Sequence, residues 1–186
     1  MTEPDAGSDL SGMRTNAKDM GDHFLLNGSK TYISNGINAD IVIVAAKTDP
    51  EKNPYSLALL IVERGMEGFE RGRNLDKMGM HAQDTAELFF NDVEVPAANL
   101  LGDEGMGFVY LMQNLAQERL SLAVEAVAVA QAAVRWTLDY TTSRKAFGQS
   151  ILDNQVVHFR LAELKTEVEM LRAITYRAAD LMLKGE

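Results

Sequence analysis

The apolar pattern of this chain changes period once, between about Pro96 and Gly105, and that change constrains the fold more than any single motif. Before it, apolar residues come in short runs separated by turn signals. After it, they recur every three to four positions. Phe24-Leu25-Leu26 leads into Asn27-Gly28, with Ser29-Lys30-Thr31-Tyr32-Ile33 beyond. Asn-Gly between two such runs predicts a type I′ hairpin, because both central residues of that turn need φ > 0. Ile41 to Ala46 reads as a strand buried on both faces, Thr48 to Pro54 as a polar loop, and Ser56 to Val62 as another buried strand. Leu88-Phe89-Phe90 and Val93-Glu94-Val95 read as a final strand pair, stopped by Pro96. Short strands with turns between them predict an antiparallel sandwich or barrel.

From about Gly105, Phe108, Leu111, Met112 and Leu115 recur at helical spacing, and the helix continues through Leu122, Ala126 and Val129 toward Trp136. Thr141-Thr142-Ser143 marks a break. A second helix opens near Asp153, a plausible N-cap, and carries a stripe of Val157, Leu161, Leu164, Val168 and Leu171. The fold class is therefore α+β, with a β half followed by two long helices. Two helices cannot easily cover each other and the open face of a sheet. The reading at this point is that both ends are cut, with further helices or an oligomer completing the core.

A formal net charge of -9 disfavours phosphate backbones as partners, which argues against nucleic-acid binding and against a polybasic membrane anchor. Without cysteine there is no disulfide, no thiolate nucleophile and no cysteine metal site. No run approaches the ~18 apolar residues that a membrane span requires. His23, His81 and His158 show no metal-ligand spacing, so no metal is expected.

Glu118 is the acid that stands out. Leu111, Leu115 and Leu122 share its helix face, which predicts burial. A carboxylate on such a face is costly in its charged form, which suits proton abstraction near neutral pH. Two readings stay open here: a catalytic base, or an acid that pairs with Arg119 or sits in a first helical turn. Glu125 lies in the same apolar-rich helix and points outward between alanines more easily. Asp5-Ala6-Gly7-Ser8-Asp9 is a turn whose amides and Ser8 hydroxyl could meet a phosphate or a flavin edge, or form a plain surface turn. Gly102, Gly105 and Gly107 fit no nucleotide-binding spacing and read as a flexible helix entry. Arg144-Lys145 would serve an anion or simply sit in solvent.

Taken in order, these segments resemble the acyl-CoA dehydrogenase family. Met1-Thr2-Glu3-Pro4-Asp5-Ala6-Gly7-Ser8-Asp9 is similar to its TEPxAGSD signature, and Asn27-Gly28-Ser29-Lys30-Thr31-Tyr32-Ile33-Ser34-Asn35-Gly36 to its NGxKxxIxN(G) segment. Lys77-Met78-Gly79, Asp84-Thr85, Val93-Glu94-Val95-Pro96 with Asn99-Leu100-Leu101-Gly102, then Arg144-Lys145-Ala146-Phe147-Gly148 and Gln155 continue the likeness along essentially the whole chain. Asp5, His81 and Gln83 depart from the common Gly, Arg and Ser, so nothing is inferred about flavin hydrogen bonds around His81 and Gln83.

The resemblance implies a middle β domain over residues 1–98 and the start of a C-terminal helical domain over 99–186, truncated after its first two helices. It implies FAD as cofactor, contacted by Met1, Thr2, Gly7, Ser8, Tyr32, Ile33 and Ser34. Arg144, Phe147 and Gln155 would reach the FAD of a neighbouring subunit. Ser8, Ala116, Gln117 and Arg119 fall on the substrate side. Glu118, in Gln117-Glu118-Arg119-Leu120, matches the base of the long-chain and isovaleryl-type members. The implied reaction is α,β-dehydrogenation of a fatty acyl-CoA to the trans-2-enoyl-CoA, in fatty acid β-oxidation or branched-chain breakdown. An electron-transferring flavoprotein would take the electrons, and the whole protein would be a homodimer or homotetramer. Cytoplasm in a bacterium, or the mitochondrial matrix in a eukaryote, is the implied location. The rival readings are an incomplete fragment that at most associates with a partner, and a nitroalkane-oxidase or flavin-monooxygenase relative.

Overall fold

The computed structural model describes residues 1–48 and 56–185; most of the expected polar loop lies outside these. It divides into two compact units, Met1–Met112 and Gln113–Glu186. In the first, β1 (Asn16–Asp19), β2 (His23–Ser34), β3 (Ile41–Lys47), β4 (Leu57–Glu63), β5 (Phe69–Asn74) and β6 (Thr85–Pro96) form one six-stranded sheet in the order β4-β3-β1-β2-β6-β5. The α+β expectation holds. The expected antiparallel pattern is broken at one pair, since β1 and β3 meet in parallel at Asn16 and Lys47. β3 follows β2 but lies beyond β1, so it runs in the direction of β1.

The expected Asn27-Gly28 hairpin is not there. β2 passes straight through both residues, with a register shift between Leu26 and Gly28. Gly28 has φ +144, and a Cβ there would meet Thr15 atoms at 2.5–2.8 Å. Its glycine serves a close approach to the buried Thr15, not a turn. Asn27 instead bonds across to β6: its Nδ2 donates to Asp92 Oδ1 at 2.9 Å, and the Asp92 amide donates back to Asn27 Oδ1 at 2.9 Å.

The expected pair at Leu88–Phe90 and Val93–Val95 is likewise one strand, β6. Leu88 and Phe90 are buried, and so are Val93 and Val95. Strict alternation would put these two sets on opposite faces. The extra residue at Asn91-Asp92, with Asp92 at φ +50, restores them to one face as a bulge. With Phe24, Leu26, Val44, Leu60 and Val62 they make the main core. Phe69 stacks on Phe90 at 5.1 Å, and the Arg71 guanidinium lies 5.0 Å over the Phe69 ring.

A smaller core lies on the other side of the sheet, where Ala6, Met13, Ala45, Leu57 and Leu59 pack with Leu10, Phe108, Tyr110 and Leu111. β3 is thus buried on both faces only at Val44–Ala46; Ile41 and Ile43 are 60% and 55% exposed, against the sequence expectation.

The second unit holds most of α1 (Gly107–Ser143), a short hairpin of β7 (Lys145–Ala146) and β8 (Gln149–Ser150), and α2 (Gln155–Leu183). The break predicted at Thr141–Ser143 is the end of α1. The cap of α2 is Asn154, one residue after the predicted Asp153, which instead closes a capping box with Ser150 in a short 3-10 turn. Leu161 and Val168 of the predicted α2 stripe are buried, whereas Leu171 is exposed. Among the described residues, no helix is long and apolar enough to cross a membrane.

Candidate functional site

Residues 1–6 are held as a folded turn against β2. Glu3 and Ala6 exchange both backbone hydrogen bonds, at 2.8 and 3.2 Å. The Thr31 amide donates to the Thr2 carbonyl at 2.9 Å. Lys30 Nζ donates to Glu3 Oε1 at 2.7 Å and to the Met1 carbonyl at 3.2 Å. Glu3 also accepts the amides of Arg14 at 2.6 Å and Thr15 at 3.1 Å. Burial alone would raise the Glu3 carboxyl, but Lys30 and the donors at Thr15 and Arg14 outweigh it and hold the group below its ordinary value. Burial pushes the Lys30 ammonium below its ordinary value, with Glu3 acting against that. Gly7 and Ser8 lie exposed beyond Ala6, and a Cβ on Gly7 would meet nothing within 4 Å.

Directly after Lys30 and Thr31, β2 breaks register against β6. Tyr32 sits there at φ +57 and is 70% exposed. A bulky residue in the left-handed region costs free energy, and such strain gathers at binding and catalytic positions. Ile33 is half-buried and Ser34 exposed. The loop after Ser34 is anchored from two sides. Asp84 accepts from the Ile37 amide at 2.7 Å and Asn38 Nδ2 at 2.9 Å, and the Ile37 amide leads the contacts that lower its carboxyl. Arg64 and Arg71 donate to the carbonyls of residues 36–39. Lys77 Nζ holds Thr85 Oγ1 at 2.8 Å and the Gln83 carbonyl at 2.6 Å. The separate sequence signatures of the first unit thus meet around the end of β2: Met1 and Thr2 with Lys30 and Thr31, and Asp84-Thr85 with Asn35 to Asn38.

In the second unit, Ala116, Gln117, Glu118 and Arg119 occupy consecutive positions of α1, and all four are exposed. The expected burial of Glu118 is not met. Leu111 and Leu115 are half-buried and Leu122 is 65% exposed, so this apolar face is open at the level of Glu118. Arg144 follows the end of α1, and its carbonyl accepts the Ile151 amide at 2.9 Å. Phe147 and Gly148 form the tip of the β7–β8 hairpin with φ +52 and +82, the positive pair that a type I′ turn requires. Phe147 is fully exposed. Gln155 is exposed in the first turn of α2. The hairpin itself was missed in the sequence, because its strands are two residues long and Phe is a poor marker for such a turn. Glu3 and Lys30 were also missed as a site pair; the one signal was that both fall inside the quoted signatures.

Two family profiles match in chain order: the acyl-CoA dehydrogenase middle domain over residues 1–93 and its C-terminal domain over 105–186. The class so defined is an oxidoreductase. The mitochondrial long-chain specific acyl-CoA dehydrogenase of Mus musculus is 53% identical over 175 residues, covering 93% of this chain and 41% of that protein. Mitochondrial isovaleryl-CoA dehydrogenase of Pongo abelii is 43% identical over 187 residues, covering 100% and 44%. The crystal structure of acyl-CoA dehydrogenase from Geobacillus kaustophilus superposes with TM-score 0.97 at 50% identity, covering 100% of this chain and 50% of that one. The chain belongs to the acyl-CoA dehydrogenase family, whose members are flavoproteins that use FAD. It spans about half the length of these relatives or somewhat less. The residues fit such a cofactor in one observable respect. The strained, solvent-facing Tyr32 at the end of β2 offers a planar ring and adjacent backbone where a flat heterocycle could lie.

Proposed function

We propose that this chain forms the flavin-facing part of an enzyme that dehydrogenates fatty acyl-CoA thioesters to trans-2-enoyl-CoA. The observation that carries the reading is the junction of two family signatures in one place, Thr2 hydrogen-bonded to Thr31 beside the strained Tyr32. Met1, Thr2, Gly7, Ser8, Tyr32, Ile33 and Ser34 would hold FAD, with Ser8 also beside the thioester. FAD, when bound, supplies the acceptor for the β-hydride. Glu118 would take the α-proton, which the thioester carbonyl makes acidic by delocalising the charge left behind. Ala116, Gln117 and Arg119, its neighbours on α1, would contact the substrate. The exposure of Glu118 in this chain means that its water must be excluded by substrate and by surrounding protein before it works as a base. Identity of 53% to a long-chain enzyme supports that subgroup, and 43% to both an isovaleryl-CoA and a short-chain specific enzyme leaves chain length open.

Arg144, Phe147 and Gln155 would complete the FAD site of a neighbouring copy, in a homodimer or homotetramer, and an electron-transferring flavoprotein would reoxidise the cofactor. Glu118→Gln in the FAD-loaded enzyme tests the base. Turnover should fall by roughly a thousandfold or more while flavin absorbance is retained. Full activity would refute the assignment. Coverage of about half the relatives' length favours a second reading for the polypeptide by itself, an association partner that does not turn over alone. Colourless protein after purification in the presence of FAD would favour that reading.

A further inference from the structure

Among the described residues, Glu3–Lys30 is the ion pair with both side chains buried, at 5% and 2% exposure. The other pairs, such as Arg14–Asp5, Arg64–Asp40 and those along α2, lie toward solvent and contribute little each. Stability alone is a weak reason for a buried pair, since apolar residues of similar volume often serve as well or better. Reach is what distinguishes this one. Glu3 accepts from three separate points: Lys30 on β2, and the amides of Arg14 and Thr15 where the chain enters β1. Lys30 in turn holds the Met1 carbonyl, two residues before the Glu3 it binds. The next residue, Thr31, donates its amide to Thr2, and the one after that is the strained Tyr32. Neither side chain faces solvent, so neither is available to touch a ligand.

We propose that Glu3 and Lys30 are positioning residues for the flavin: they fix the Met1–Glu3 backbone against β2 so that Thr2 and Tyr32–Ser34 present one preformed surface to the ring system. The proposal rests on the reading of this surface as the flavin site. A ligand surface assembled before binding avoids ordering costs at the moment of binding, and its supporting shell sets how well it is held.

The test uses the double variant Glu3→Gln/Lys30→Met in the FAD-loaded protein. Gln at position 3 keeps one acceptor oxygen for one of the two amides that Glu3 takes on separate oxygens, and no unpaired charge is left. Its unfolding temperature, compared with wild type without FAD so that weaker binding does not enter, should fall by only the few degrees that one lost amide hydrogen bond entails. Its FAD dissociation constant should rise roughly tenfold to a hundredfold, with the flavin absorption bands displaced, because the charged hydrogen bonds that hold Met1 and Glu3 are gone. A pair with a purely structural role would lower the unfolding temperature further and leave the bands in place. A folded double variant with wild-type affinity and bands overturns the proposal and leaves the flavin reading intact. Wild-type protein that takes up no FAD overturns both. If the double variant does not fold, amide exchange in the wild type decides. Protection at Arg14, Thr15 and Thr31 that is equal with and without FAD supports a preformed surface, and protection that arises only with FAD overturns it.

Discussion

At the scale of single residues, the Glu3 carboxyl makes a pH-dependent contribution whose sign can be worked out. Its folded-state value lies below the ordinary 4.5. The stabilisation is therefore fully present above about pH 4.5 and is lost as pH falls through the lower folded-state value. Lys30 works the other way. Its folded-state value lies below the ordinary 10.5, so its ammonium form carries a cost that is relieved as pH rises through the folded-state value and on toward 10.5. Near neutral pH, Glu3→Gln leaves the buried Lys30 without its counter-charge, which should cost about 3 kcal/mol. That difference between variant and wild type should shrink as the pH is lowered from 4.5 through the folded-state value, because wild-type Glu3 is then neutral as well. Urea unfolding of both proteins at a series of acidic pH values measures it. A difference that stays constant down to acid would show that Glu3 is not the titrating group.

At the scale of elements, the same residues explain what the sequence could and could not reveal. The switch from short strands to long helices was legible, because period 2 and period 3.6 leave different apolar patterns. The connectivity within the sheet was not. Leu88, Phe90, Val93 and Val95 break parity, and broken parity looks the same whether the chain turns or bulges; only pairing with Asn27 distinguishes the two. Asn27-Gly28 carried a turn signature but met a packing demand, the approach of Thr15. Glu118 was found by its helix face, yet that face is open in this unit, since periodicity marks which residues are apolar and not what covers them. The positive-φ pair at Phe147-Gly148 gives the element-scale prediction. Asn-Gly is the favoured type I′ pair, and the Phe147 ring is fully exposed. Phe147→Asn should therefore stabilise the hairpin by about 1 kcal/mol, the low end of such strain, while weakening FAD retention in the assembled protein. Unfolding midpoint and flavin release, measured together, check it; a loss of stability would mean that Phe147 has a packing role within the chain.

At the scale of the whole molecule, the question is whether one copy suffices. Leu122, Trp136, Ile174 and Tyr176 are 63–68% exposed on α1 and α2, more large apolar surface than a solvated helix pair normally presents. The proposed flavin contacts also divide between residues that serve the same copy, around Thr2 and Tyr32, and residues that would serve another, around Phe147. A site completed by a second copy links FAD affinity to self-association by mass action: whatever binds the assembled form preferentially also drives assembly. The apparent FAD dissociation constant should then fall as total protein concentration rises through the association range, and added FAD should shift sedimentation toward the larger species. Phe147→Asn should flatten that dependence while leaving the weaker, single-copy affinity in place. FAD titrations across a hundredfold range of protein concentration, paired with sedimentation velocity, make the measurement. An affinity independent of concentration, in a protein whose association state does change over that range, would place the whole flavin site within one copy and remove Arg144, Phe147 and Gln155 from it.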